Sequence, residues 1–254
     1  YILGESVNLT ANFGRPVQVT GTPTIALTLD SGPENATYDP IASNVANGTL
    51  VFRYRVGVDD EDIDGIAAAT TITLNGGSIT DAFGNQAITS FAPVNTLGIN
   101  VDGDVPDIAN FTTPAAGVYS SGQTLAFSVK FDQAVNVANG NDNLTIPLTI
   151  GSTALNAAYV RGSGTDTLVF ETPALNNSHF TSTGISIGQI TGTNNTVTIQ
   201  DLNGNNGTLS YPTPPDGSGV VINRIGPNVT ASADDTYILG ESVNLTANFG
   251  RPVQ

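Results

Sequence analysis

The sequence predicts an all-β chain of two tandem β-sandwich domains of about 118 residues each, and three observations predict it. The chain repeats itself at a spacing of 118 residues, its apolar residues alternate with polar ones in short runs, and its composition favours strands and turns over helices.

The repetition has two levels. Tyr1–Gln18 and Tyr237–Gln254 are the same eighteen residues, YILGESVNLTANFGRPVQ, 236 positions apart. At half that spacing, YILGESVNLTANFGRPVQV from Tyr1 aligns without a gap on YSSGQTLAFSVKFDQAVNV from Tyr119. The pairs include Gly4/Gly122, Val7/Leu125, Leu9/Phe127, Ala11/Val129 and Phe13/Phe131. Further on, TIALTL at Thr24 matches TIPLTI at Thr145, and LVF at Leu50 matches LVF at Leu168. DGI at Asp64 parallels TGI at Thr183, and ITDAFGN from Ile79 matches IQDLNGN from Ile199. INVDGDVPDI (Ile99–Ile108) pairs with VVINRIGPNV (Val220–Val229). Two diverged copies of one fold, recurring as a pair, account for all of this.

Each copy then divides into strands. Val7, Leu9, Ala11 and Phe13 fall on one face while Asn8, Thr10 and Asn12 fall on the other, the pattern of a half-buried strand. Ile25, Leu27 and Leu29 repeat it, as do Leu50, Phe52, Tyr54 and Val56, then Ile72 and Leu74, then Leu97, Ile99 and Val101. In the second copy the inward series is Leu125, Phe127, Val129 and Phe131, then Ile146, Leu148 and Ile150, then Leu168 and Phe170. Val197, Ile199, Val220 and Ile222 close it. About seven short strands per copy, with turns every 8–12 residues, read as a sandwich of immunoglobulin (Ig) type. The 28 Gly, 14 Pro and many Asn and Thr supply the turns.

The linkers around Val105–Pro106 and Gly226–Pro227 set the domain edges: domain A at 1–105, domain B at 106–226, and the start of the next copy of A at 227–254. On this division domain A lacks its first strand, whose sequence PNVTASADDT (Pro227–Thr236) comes at the far end. Two arrangements produce that: a window on a longer array, or donation of the strand to the next molecule.

With 22 acids against 7 bases the net charge is −15, which repels nucleic-acid phosphates and anionic membranes and suits hard cations. There is no Cys, hence no disulfide, and no apolar stretch long enough to span a membrane. Any signal or anchor is expected outside this segment. Catalysis is not expected. The only histidine, His179 in NNSHF, reads as an exposed loop residue, and no G-x-S-x-G, H-E-x-x-H or phosphate-binding loop is present.

One dense constellation remains. VGVDDEDIDG carries Asp59, Asp60, Glu61, Asp62 and Asp64, and the exit segment VDGDVPD carries Asp102, Asp104 and Asp107. So many carboxylates repel one another unless solvent or a cation neutralises them. Ca²⁺, which takes six to eight oxygens from a flexible loop, is the natural ion. The other reading is a solvated acidic turn. The topology brings loop and exit segment to one pole, and the second copy has no acid in either place: its loop is PALNNSH and its linker INRIGPN. A shared Ca²⁺ ion stiffening the region around Asp102–Pro106 is therefore expected, with an ion-free region around Arg224–Pro227, flexible or packed through Ile225. The turns DAFGN and DLNGN (Asp81–Asn85, Asp201–Asn205) use Gly and Asn for left-handed backbone, with metal binding as the rarer alternative.

The ordered motifs VNLTANF, TIALTL, DDEDIDGI and DAFGN resemble the bacterial Ig-like repeats strung in long tandem arrays in giant surface adhesins and secreted fibrous proteins. The resemblance implies a non-enzymatic, extracellular structural role, at the cell surface or secreted, with calcium-stiffened junctions like those of cadherin-like arrays. Its partners would be adjacent repeats of the same chain and, in an alternative reading, other copies in a filament or hook-like appendage. A glycan- or ligand-binding module is a further alternative.

Overall fold

The structure is a computed structural model that describes residues 1–138, 144–192, 198–211, 213, 215–224, 228–230 and 238–248. Among the described residues there is no helix, and none of the peptide bonds is cis. The chain divides into two compact units. The first comprises Tyr1–Asp107 with Gln133–Asn136 and Ile199–Thr208; the second comprises Ile108–Asp132, Val137–Thr198 and Leu209–Gln254. Val197, Ile225 and the Gly226–Pro227 linker lie outside the described residues.

The first unit carries β1 (Ser6–Asn12), β2 (Gln18–Thr20), β3 (Thr24–Leu29), β4 (Gly32–Asn44), β5 (Thr49–Arg55), β6 (Glu61–Asp62), β7 (Ala67–Thr73), β8 (Ser78–Thr80) and β9 (Val101–Asp102). Its main sheet is antiparallel with the order β1-β5-β4-β3-β7, and β2 pairs β8 while β6 pairs β9. Period-two alternation places the core. Val7, Leu27, Leu50, Phe52, Tyr54, Val56, Ile66, Ile79 and Val101 are almost wholly buried, while Asn8, Thr10 and Asn12 face solvent.

Leu97 departs from the expected series. It is 77% exposed because it sits in a turn closed by Ile99 N–H on the Thr96 carbonyl (2.9 Å), before the strand begins. Thr96 is the buried residue there, its hydroxyl donating to the Ile66 carbonyl. Gly65 lets the turn approach: its φ is +108°, and a Cβ would lie 2.6 Å from the Leu97 backbone.

After the first unit's strands the chain forms β10 (Ile108–Thr112), β11 (Gly117–Tyr119), β12 (Ala126–Ala138), β13 (Leu144–Ile150), β14 (Thr153–Arg161) and β15 (Thr165–Glu171). Then follow β16 (Ile185–Ile187), β17 (Thr191–Gly192), β18 (Thr198–Gln200), β19 (Val220–Ile222), β20 (Asn228–Thr230) and β21 (Thr246–Asn248). The large sheet has the order β10-β12-β15-β14-β13-β16, with β17 also on β13 and β18 on β12; β11 runs parallel to β19, and β20 pairs β21. Phe127, Phe131 and Phe170 are fully buried beneath it. Both bodies are Ig-like, so the chain is all-β throughout its described residues.

Carried through the sequence repeat, the two sheets match strand for strand. β1 corresponds to the start of β12, β5 to β15, β4 to β14, β3 to β13, and β7 to β16 with β17. The difference is β10. It covers the outer edge of β12, whereas β1 ends its sheet.

Candidate functional site

Strand β5 delivers Tyr54 into the core and then turns through Gly57–Asp60, with Asp59 at φ 64°, a left-handed conformation that Asp tolerates better than most residues. Asp60 faces back into this turn. Its Oδ2 accepts from the Tyr54 phenol and from Gly57 N–H (2.6 Å). Burial, and next the hydrogen bond to Asp60, hold the phenol well above its ordinary pKa.

Two other segments frame the loop. On one side β6 pairs β9, Glu61 opposite Asp102 and Asp62 opposite Val101, and Gly103 N–H donates to the Asp60 carbonyl at 2.6 Å. A Cβ on Gly103 would fall 2.0 Å from the Gly57 carbonyl oxygen, so only glycine allows this approach. The acidic loop and the acidic exit segment thus run side by side. On the other side stands the tight β3–β4 turn. Glu61 N–H donates to Ser31 Oγ (2.9 Å), Ser31 N–H to the Glu61 carbonyl (3.0 Å), and Ile63 N–H to Asp30 Oδ2 (3.3 Å).

Here Asp30, Asp62 and Asp64 bring carboxylate oxygens within 4.8 Å of one another. Asp62 is buried, and its Oδ1 accepts from Gly65 N–H at 2.6 Å; Asp30 and Asp64 are exposed. Of the acids singled out in the sequence, Asp62 and Asp64 therefore share a site. Asp59 and Glu61 are exposed outside the cluster, and Asp60 serves the β5 turn. Asp102, Asp104 and Asp107 are engaged elsewhere in the first unit. Asp102 accepts from Asn203 Nδ2 and from Asp104 N–H (3.1 Å), Asp104 from Gln133 Nε2 (3.3 Å), and Asp107 from Thr208 Oγ1 (2.8 Å). Asp30 escaped the sequence reading because only the β3–β4 hairpin carries it to the loop. The available signal was an acid in the turn after TIALTL where the second copy has Gly151.

The second unit builds the same corner without acids. Gly151, Thr181 and Thr183 replace Asp30, Asp62 and Asp64. Thr181 exchanges backbone hydrogen bonds with Ile222 (3.1 and 3.0 Å), as Asp62 pairs with Val101, and its hydroxyl donates to the Gly184 carbonyl at 2.6 Å. The burial of Asp62 thus belongs to a turn-closing role that a threonine fills equally well. Gly151 has φ +60°, and a Cβ would meet the Phe180 carbonyl at 2.3 Å. The Arg224 guanidinium lies over the Phe180 ring at 4.9 Å. One corner carries three carboxylates; its homologue carries none and has an arginine.

The DAFGN and DLNGN turns use their own aspartates. Asp81 accepts from Phe83 N–H (2.9 Å), Asn85 N–H (3.0 Å) and Asn85 Nδ2 (2.9 Å). Asp201 accepts from Asn203, Gly204 and Asn205 N–H (2.9, 2.5 and 2.8 Å) and from Asn205 Nδ2 (2.7 Å). The Asn85 side chain is the main cause that holds the Asp81 carboxyl below its ordinary pKa. The expectation of an exposed His179 is corrected: it is buried, its Nδ1 accepting from Asn176 N–H at 3.0 Å to close a turn.

No protein-family model matches the sequence, and no curated protein sequence matches it significantly. Two solved structures, each described as a marsupial T cell receptor, are similar to 92% of this chain. One matches at 13% identity and a TM-score of 0.36 over 76% of its own length, the other at 11% and 0.25 over 75%. Likeness at that level carries no function to this chain.

Proposed function

We propose that this chain is a structural repeat of an extended extracellular fibre or stalk belonging to a giant bacterial surface protein, supplying reach and mechanical strength rather than catalysis. One observation carries the reading: two diverged sandwich units follow each other at a spacing of 118 residues, and the first eighteen residues return unchanged at 236. Exact copying suits a part needed in number, not one selected for an individual binding specificity. Alternating two diverged versions also limits the misfolding that identical neighbours invite. Electron microscopy of chains carrying one, two and three copies of the 236-residue period tests it. Contour length rising by a constant increment per copy supports the stalk; compact particles of growing diameter overturn it.

Ca²⁺ at the Asp30, Asp62 and Asp64 corner is the ion proposed for this role. Its support is an all-oxygen donor set suited to a hard cation, and the loss of all three acids together in the homologous corner. Three carboxylates do not fill a Ca²⁺ shell, so loop carbonyls or water would supply the rest. Isothermal titration of the whole chain with Ca²⁺ should show saturable binding that disappears in Asp30→Asn with Asp64→Asn. No binding, or binding that survives the double substitution, removes the ion.

A further inference from the structure

The corner of the second unit that corresponds to the acidic one is a shallow pocket of about 380 Å³, at the small end of the roughly 300–1,000 Å³ of ligand sites. Ser152, Phe180, Thr181, Ser182, Thr183 and Arg224 line it, and no acid does. Its walls are fixed. The Thr153 hydroxyl at the start of β14 donates to the Ser178 carbonyl at 3.1 Å, and Gly151 passes too close to the Phe180 carbonyl to carry a Cβ. Behind them Asn176 Oδ1 accepts from Ser178 N–H (2.9 Å) and Oγ (2.6 Å). In the first unit the homologous Asp30, Ile63 and Asp64 are exposed although a whole unit follows them in the chain, so exposure belongs to the corner itself.

The polar groups that line the pocket are unspent. Among the described bases of the second unit, Lys130 and Arg161 are each paired with a carboxylate, Asp166 and Glu171, both at 3.4 Å. Arg224 has no ion pair among the described residues, and its guanidinium rests instead on the Phe180 ring at 4.9 Å. Stacking of this kind orients the planar fork and leaves its N–H edge free for an oxyanion. The Thr181 hydroxyl is used on the Gly184 carbonyl and that of Ser178 on Asn176. Those of Ser152, Ser182 and Thr183 are exposed and have no partner among the described residues, and each can both donate and accept.

We propose that this corner binds a carboxylate-bearing sugar, with the carboxylate in the fork of Arg224 and the ring hydroxyls among Ser152, Ser182 and Thr183. A bare anion would leave three hydroxyls unused, and a neutral sugar would leave the guanidinium without a partner. The net charge of −15 repels a densely charged polymer, which favours one carboxylate over a sulfated chain. Asp30, Asp62 and Asp64 would repel the same ligand from the first unit's corner. One fold position thus suits a cation in one copy and an anion in the other. The inference does not rest on the stalk reading.

Nuclear magnetic resonance of the whole chain tests it, with sodium glucuronate titrated at constant ionic strength. Amide signals of Gly151, Ser152, Ser182 and Thr183 should shift saturably, while those of Asp30, Ile63 and Asp64, the internal control, stay still. Glucose and acetate, each lacking one half of the recognition, should bind about tenfold more weakly or worse. Arg224→Gln, at an exposed residue whose loss does not threaten the fold, should weaken glucuronate by about 10- to 150-fold, the worth of a hydrogen bond to a charged group. Arg224→Lys keeps the charge without the fork and should recover only part of that. Three results overturn the proposal: no saturable shift, glucuronate binding unchanged by Arg224→Gln, or glucose or acetate matching glucuronate. The microscopy of tandem copies is unaffected by any of them, so the two readings fail separately.

Discussion

Truncating Phe111 to alanine should loosen β10 from the edge of β12. The ring is half-buried and packs edge-on against Phe127 at 6.2 Å and Tyr211 at 5.3 Å. A fully buried Phe→Ala change costs about 3–5 kcal/mol, so half-burial puts the loss near ~2 kcal/mol. Two aromatic contacts at about 0.5–1.5 kcal/mol each, only partly contained in that figure, raise it towards ~3 kcal/mol. At 1.36 kcal/mol per decade, opening of β10 from β12 should become roughly 30- to 150-fold more frequent. The chain has two units, so one melting curve does not isolate the effect. Hydrogen exchange read by peptide mass spectrometry does, because it reports each strand's opening. Peptides covering Ile108–Thr112 and Val129–Phe131 should exchange faster by that factor, while those covering β3–β5 stay unchanged. Phe83→Ala, at a residue 92% exposed, should change nothing. Acceleration below about threefold in β12, against a barrier expected to fall by ~2 kcal/mol or more, would mean the ring does not seal the sandwich.

Tyr54→Phe removes the donor that holds Asp60 against the end of β5. A hydrogen bond to a charged partner is worth about 1.5–3 kcal/mol, so the first unit's urea midpoint should drop accordingly. An unchanged midpoint would show that Gly57 N–H alone fixes the loop. Asp81 has a folded pKa below its unfolded value of about 4, so it contributes stability above that pH and loses it as the pH falls through the folded pKa. Asp81→Asn should therefore destabilise the first unit at pH 6. The gap to the unsubstituted chain should close below about pH 4, and a gap independent of pH would rule out the carboxylate as its source.

The fold was legible because each buried strand advertises itself twice, once by alternation and once by its copy 118 residues away. Val7, Leu27, Phe52 and Tyr54 fall inside for the reason their neighbours fall outside. Alternation fails where a turn intervenes: Leu97 has the right phase and the wrong backbone, and Thr96 takes the interior. His179 was misread because polarity suggested exposure, whereas a histidine can be buried once a backbone N–H satisfies its ring nitrogen. At the acidic corner, local density in DDEDIDG identified Asp62 and Asp64, but proximity in sequence could not say which acids converge. Asp60 turns inward to Tyr54, and Asp30 arrives across a hairpin.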